Sequence, residues 1–181
     1  MRIFDSKKIK LFFFLLLFAY SSQATTYYVS SSGSNYNAGT SADKAWASIL
    51  GVNARNFSAG DQILFEGGHT FSGFIYFDAN DRGTAAQPIT IGSYGNGKAT
   101  ISSGASYGMY VYNTAGFKIN NLIFKGSGRT TNTMAGIFFF MDKANTRLSM
   151  VNIDDVEVYG YKGSGIMFGS NNNTSGFDNV S

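Results

Sequence analysis

The chain has no cysteine, one proline (Pro88) and one histidine (His69), and only 14% of its 181 residues are charged. Without cysteine there are no disulfides, so stability must come from a packed core or from stacked repeats. His69 has no histidine, cysteine or carboxylate at metal-ligand spacing except Glu66, which speaks for a structural or surface role. Helix-favouring Glu and Lys are sparse, whereas Gly (22), Phe (17) and Tyr (11) are abundant. That balance favours short strands joined by many turns. Phosphate-loop, dinucleotide and Ser-His-acid patterns are missing, which removes nucleotide-dependent and serine-hydrolase chemistry from consideration.

One long apolar run is present, Leu11 to Tyr20 (LFFFLLLFAY). Arg2, Lys7, Lys8 and Lys10 precede it and the small residues of SSQA follow, so residues 1–24 read as a secretory signal cleaved near Ala24. The run is shorter than the ~20 residues needed to span a bilayer. The expectation is a secreted protein, extracellular, periplasmic or at the cell surface, with no stable membrane insertion after cleavage. The signal holds four of the 14 basic residues and one of the 11 acidic ones, which leaves ten of each in residues 25–181. The net positive charge therefore belongs to the signal, and no nucleic-acid partner is implied.

Residues 25–100 divide into an opening strand (TTYYVSSSGS), a Gly/Asn/Ser loop, and then SADKAWASILGVNARNF. In that segment Trp46, Ile49, Leu50 and Asn53 follow an i, i+3, i+4, i+7 spacing, which predicts a helix over Trp46 to Phe57 started by Ser41 or Asp43. Short strands follow in GDQILFEGG, HTFSGFIYF, PITIGSYG and KATISSG. Residues 101–181 repeat. GMYVYN (from Gly108), GIFFFM (Gly136) and GIMFGS (Gly165) are offset by 28 and 29 residues. KINNLIFKG, NIDDVEVYG and GFDNVS alternate with them, and their cores align as Ile119–Leu122, Ile153–Val156 and Phe177–Val180, with offsets of 34 and 24. Two alternating sets of short strands with variable loops describe a solenoid. Met109, Ile137 and Ile166 would share one inward column; Val111, Phe139 and Phe168 would share the next. The unequal offsets place an insertion at Asp142 to Met150. The chain stops inside the third copy, so the expectation is an N-terminal part of a longer protein.

This pattern resembles the right-handed parallel β-helix of the pectate-lyase-like superfamily. TYYVSSSGS, AWASI, GDQILFEGGHTF and PITIGSYG are similar to the opening of secreted bacterial β-helix proteins, including relatives of alginate and chondroitin lyases. The resemblance implies an all-β, right-handed parallel β-helix with an N-terminal capping helix, truncated at its C-terminal end. Asn121, Asp155 and Asn179 would form its asparagine ladder at the bends. It also implies a polysaccharide partner, an anionic one, cleaved by β-elimination, with the catalytic coils missing from this stretch. The alternatives are a non-catalytic surface or adhesive β-helix, and a glycoside hydrolase of the same fold.

By the same resemblance, substrate would lie along the outer face of the GMYVYN/GIFFFM/GIMFGS sheet. Its outward residues include Tyr110, Tyr112, Phe138 and Phe140, which either stack on sugar rings or are covered by another segment. Lys143, Arg147 and Lys162 are the loop cations available to an anionic sugar, or are simply solvated charges. Asp154 and Asp178 would stack on adjacent turns, where like charges repel. A Ca²⁺ between them, with help from Glu157, would relieve the repulsion, and so would splaying into water. Processing gives the leader its test: N-terminal sequencing of exported protein should start at Thr25, and an intact leader would overturn the assignment.

Overall fold

The computed structural model describes residues 23–181. Residues 1–22 of the expected signal lie outside the described residues. No helix among the described residues is long and apolar enough to cross a membrane. The described chain is all-β, with strands β1 (Thr26–Val29), β2 (Gln62–Glu66), β3 (Thr70–Ser72), β4 (Ile75–Phe77), β5 (Ile89–Tyr94), β6 (Ala99–Gly104), β7 (Met109–Tyr112), β8 (Phe117–Gly126), β9 (Ile137–Met141), β10 (Arg147–Tyr159), β11 (Ile166–Ser170) and β12 (Gly176–Val180).

The strands build two parallel sheets. One runs β1-β2-β5-β8-β10-β12, with β3 and β6 attached through β8; the other runs β11-β9-β7-β4. The chain visits the sheets alternately, and each return lays a strand beside its predecessor. The register stacks Met109 on Ile137 on Ile166, and Val111 on Phe139 on Phe168. Strict alternation along β7 and β9 buries every second residue and leaves the others partly exposed. Phe57, Phe77, Phe117, Phe139 and Phe168 form a continuous run of interior ring contacts, edge-on, tilted, edge-on and stacked in turn, with successive centroids 5.9, 5.0, 6.1 and 5.0 Å apart. Truncating such a ring to alanine costs about 3–5 kcal/mol.

The bends of β8 and β10 have a conformational signature. Asn121 (φ 52°) and Asp155 (φ 50°) both adopt the left-handed region, which asparagine and aspartate tolerate better than other non-glycine residues. Residues before the bend pair with β5 and residues after it with β6, so one strand turns a corner without leaving its ladder.

The third copy differs from expectation. Phe177 pairs with Leu148 and Val180 with Val151, whereas Ile153 pairs with Ile119. The true offset, from Leu148 to Phe177, is therefore 29 residues, the spacing of the other sheet. The expected insertion is real between β9 and β10, but its second half is the strand segment Arg147–Ser149, and β12 pairs with that segment. Asn179 (φ 51°) thus shares a bend with Met150 (φ 73°) and Gly116 (φ 85°) rather than with Asn121 and Asp155.

The expected helix over Trp46 to Phe57 is also corrected. Only α1, Ile49–Asn53, is helical, and its cap is Ser48, which accepts from the Leu50 N–H at 3.4 Å. Trp46 is held extended by a bridge to Val29, and its ring stacks on Tyr27 at 5.2 Å. Those contacts outweigh the helical spacing. Ile49 and Val52 face the core while Leu50 is 71% exposed.

Gly116 and Gly83 touch backbone to backbone at the corner between β7 and β8. A Cβ on Gly116 would collide with the Gly83 main chain, and its φ of +85° disfavours any L side chain. Gly116→Ala should destabilise the fold by about 2–4 kcal/mol through strain and overpacking, read by chemical denaturation. Gly95 has positive φ but nothing within 4 Å, so Gly95→Ala should cost only about 1 kcal/mol. Equal losses at both positions would refute the close-approach argument.

Candidate functional site: an aromatic face and its flanking recess

Outward residues of the second sheet fall into columns set by register. Tyr76, Tyr110, Phe138 and Met167 form one; Tyr112, Phe140 and Gly169 form the next. Tyr107, in the loop before β7, folds onto the first column, stacking on Tyr110 at 5.0 Å and leaning on Phe138 at 5.6 Å. Tyr112 stacks on Phe140 at 6.3 Å, and Phe138 lies 5.5 Å from Phe140. These six rings make one continuous surface. All of them are half-buried by one another rather than covered, so the covering segment that the sequence allowed is not found among the described residues. The structure brings together Tyr110, Tyr112, Phe138 and Phe140 and adds Tyr76 and Tyr107. Tyr76 had a legible signal: IYF repeats the in-out-in pattern of MYV.

A polar node closes one end of this face. The Tyr112 hydroxyl donates to Oδ2 of Asp142, and Asn113 Nδ2 donates to Oδ1 at 2.8 Å. In return the Asp142 N–H donates to Asn113 Oδ1 at 3.0 Å. Asn113 holds this position with a left-handed backbone (φ 58°) and is 9% exposed. The Tyr112 bond, then the Asn113 bond, hold the Asp142 carboxyl below its usual range. The same contact pushes the Tyr112 phenol up. Asp142 is thus an ionised, positioned acceptor.

Behind the node lies an open recess of about 350 Å³, lined by residues from three successive turns, including Arg82, Asn113, Thr114, Lys143 and Ser149. Its origin is chain length. Residues 78–88 connect β4 to β5, residues 113–116 connect β7 to β8, and residues 142–150 separate β9 from the β10 residue that pairs with Phe117. The short middle connection leaves a gap between two longer ones.

The remaining candidates are dispersed. Arg147 is engaged by Asp178, with Nε 3.1 Å from Oδ2 and Nη2 bonded to Oδ1. Lys162 lies on an exposed turn, its N–H donating to the Asn132 carbonyl at 2.8 Å. Asp154 pairs in register with Asn120, and Asp178 with Ser149, so the stacked acid pair is not formed. Glu157 joins Asp155 around Lys98 Nζ, at 3.1 and 2.8 Å. No group of three His, Cys, Asp or Glu residues among the described residues could hold a metal ion; the five-residue register change separates the proposed calcium ligands. Asn179 donates to Ser149 Oγ at 2.8 Å, so the three bend residues do not bond one another as a single amide ladder.

The node yields a pH prediction. A depressed folded-state carboxyl pKa contributes stability above the unfolded value, lost as pH falls through the folded value. Carbon-detected NMR titration should find Asp142 below the ordinary aspartate range, and Tyr112→Phe should move it upward. An Asp142 titration unmoved by that substitution would refute the assigned cause.

No family model matches the chain. It is 34% identical over 145 residues to a lacto-N-biosidase of Bifidobacterium longum subsp. longum, covering 77% of this chain and 9% of that protein. Two crystal structures of the GH136 lacto-N-biosidase from Eubacterium ramulus superpose on it. The selenomethionine derivative gives a TM-score of 0.68 at 22% identity, covering 91% of this chain and 32% of that one. The native protein gives 0.67 at 23%, covering 85% and 30%. The chain thus spans less than a tenth of the curated relative and about a third of the solved ones. These findings correct the expectation drawn from alginate and chondroitin lyases. The similar proteins are lacto-N-biosidases, the solved ones designated GH136, a glycoside hydrolase family, and the pectate-lyase-like and polysaccharide-lyase assignments are withdrawn.

Proposed function

We propose that this chain forms the glycan-binding N-terminal part of a larger exported glycoside hydrolase of lacto-N-biosidase type, wound as a right-handed β-helix. The observation that carries the reading is the uncovered six-ring face ending at an ionised acceptor. Sugar rings present C–H faces that stack on aromatic rings, and their hydroxyls donate to carboxylates. The two outward columns continue over successive turns, matching a ligand that extends across strands rather than along one. Likeness to lacto-N-biosidases supports hydrolysis as the reaction of the whole protein, as the glycoside hydrolase alternative expected.

Asp142 serves binding rather than proton donation in this reading. Glycoside hydrolysis uses two carboxyl groups, one of them a general acid with a raised pKa. Asp142 is shifted the opposite way by Tyr112 and Asn113.

Two measurements on the full-length protein test the proposal. A lacto-N-biosidase assay should release new reducing ends without the ultraviolet absorbance of unsaturated sugars. Tyr110→Ala and Phe138→Ala should each weaken glycan binding about tenfold, equivalent to the ~1.4 kcal/mol of one good stacking contact. Unchanged affinity in both variants, with thermal unfolding within a few degrees of wild type, would remove the aromatic face from the binding site.

A further inference from the structure

Three features lie beyond the aromatic face: the acidic clamp on Lys98, the buried Asp81, and the recess behind Asn113. Lys98 has its charge answered by Asp155 and Glu157. Asp81 accepts the N–H groups of Phe57 and Asp78 at 2.8 and 2.9 Å, so it pins the corner after β4. The recess differs from both because its charge is unanswered.

Its lining includes two cations, Arg82 and Lys143, and no carboxylate. Among the described residues neither cation makes a salt bridge. Arg82 Nε donates to the Ala79 carbonyl at 2.8 Å, which fixes the guanidinium stem to its own loop. Asp142, the carboxylate adjacent to Lys143, has its oxygens engaged by Tyr112 and Asn113 on the aromatic side. Asn113 belongs to both sites: its amide bonds Asp142, and it also lines the recess. A ligand stacked on Tyr112 and Phe140 therefore ends beside an opening with net positive lining. Cations in a concave site focus potential and select an anionic group.

We infer that the recess is an acidic-substituent subsite, taking a carboxylate or sulfate group carried by a glycan whose neutral sugars stack on the aromatic face. The inference deepens the proposed function by naming a class of decorated substrate, and it rests on that face being the glycan surface. Of the three cations read from the sequence, it keeps Lys143, sets aside Arg147 and Lys162, and adds Arg82.

Calorimetry on the full-length protein tests it with three probes: a neutral oligosaccharide that binds, its sialylated form and its sulfated form. At low ionic strength an anionic form should bind about fivefold tighter than the neutral parent, as for a partly exposed ion pair, and added salt should erase most of that advantage. A preference for one anionic form over the other identifies the group. Lys143→Gln and Arg82→Gln should abolish the preference and leave neutral binding unchanged. Among the described residues Lys143 makes no side-chain hydrogen bond, so its variant keeps the test valid if the Arg82 loop is disturbed. Equal affinity for all three probes would overturn the inference, as would a uniform loss across them in Lys143→Gln. Inorganic sulfate, titrated alone, reads the recess apart from the sugar. Wild-type amide shifts at Thr114 and Ser149 that vanish in the double variant support the site, and a flat wild-type titration to about 50 mM argues against it. If no glycan binds but sulfate does, the aromatic-face reading fails and the anion site survives.

Discussion

In-register parallel pairing is the constraint from which the other features follow. When each strand lies directly beside the one a turn earlier, every inward side chain rests on its counterpart, and every outward side chain does the same. The interior column of Val111, Phe139 and Phe168 and the exterior column of Tyr110, Phe138 and Met167 are two results of one register. A single-residue slip would exchange them, placing the exterior rings inside and the core in water. The core thus holds the outer face in place without any contact dedicated to that purpose.

The inward columns of the second sheet could be read directly from GMYVYN, GIFFFM and GIMFGS, because period-two burial leaves a clear trace in sequence. The first sheet was legible for two copies and misread for the third. Ile-Asp-Asp-Val and Phe-Asp-Asn-Val look alike, yet Phe177 rests on Leu148 because the longer connection after β9 is repeated after β11. Similar words at different positions in a turn cannot be separated by pattern alone; the backbone count between sheets decides. The sequence pattern suggests a longer helix than α1 for a related reason. Helical spacing around Trp46 competed with an extended bridge to Val29 and a stack on Tyr27, and tertiary contact prevailed over periodicity.

The candidate site shows the same division. Four of its rings were visible as outward positions, and Tyr76 was recoverable by the same rule. Tyr107 was not, because a loop residue has no periodicity to betray its direction. Arg82 left no trace either: its relation to Lys143 depends on how three loops overhang each other. The acids misled in the opposite way. Asp154, Asp155, Glu157 and Asp178 are dense in sequence or in apparent alignment, but bends and registers set Asp155 and Glu157 around Lys98, give Asp178 to Arg147, and leave Asp154 beside Asn120. Chemical meaning came from Asp142, an isolated aspartate whose importance lies in a hydroxyl and an amide supplied by the previous turn.

The four-residue connection at 113–116 carries one further consequence. The recess is an omission: it exists where the chain takes a shorter path than its neighbours above and below. Its depth is therefore governed by backbone length more than by the identity of any lining residue. A relative with a few residues inserted after Tyr112 would fill the gap while leaving both sheets, their registers and the aromatic face intact. Loop length at a corner between the two sheets can then reshape this recess in one evolutionary step, uncoupled from the register of the strands.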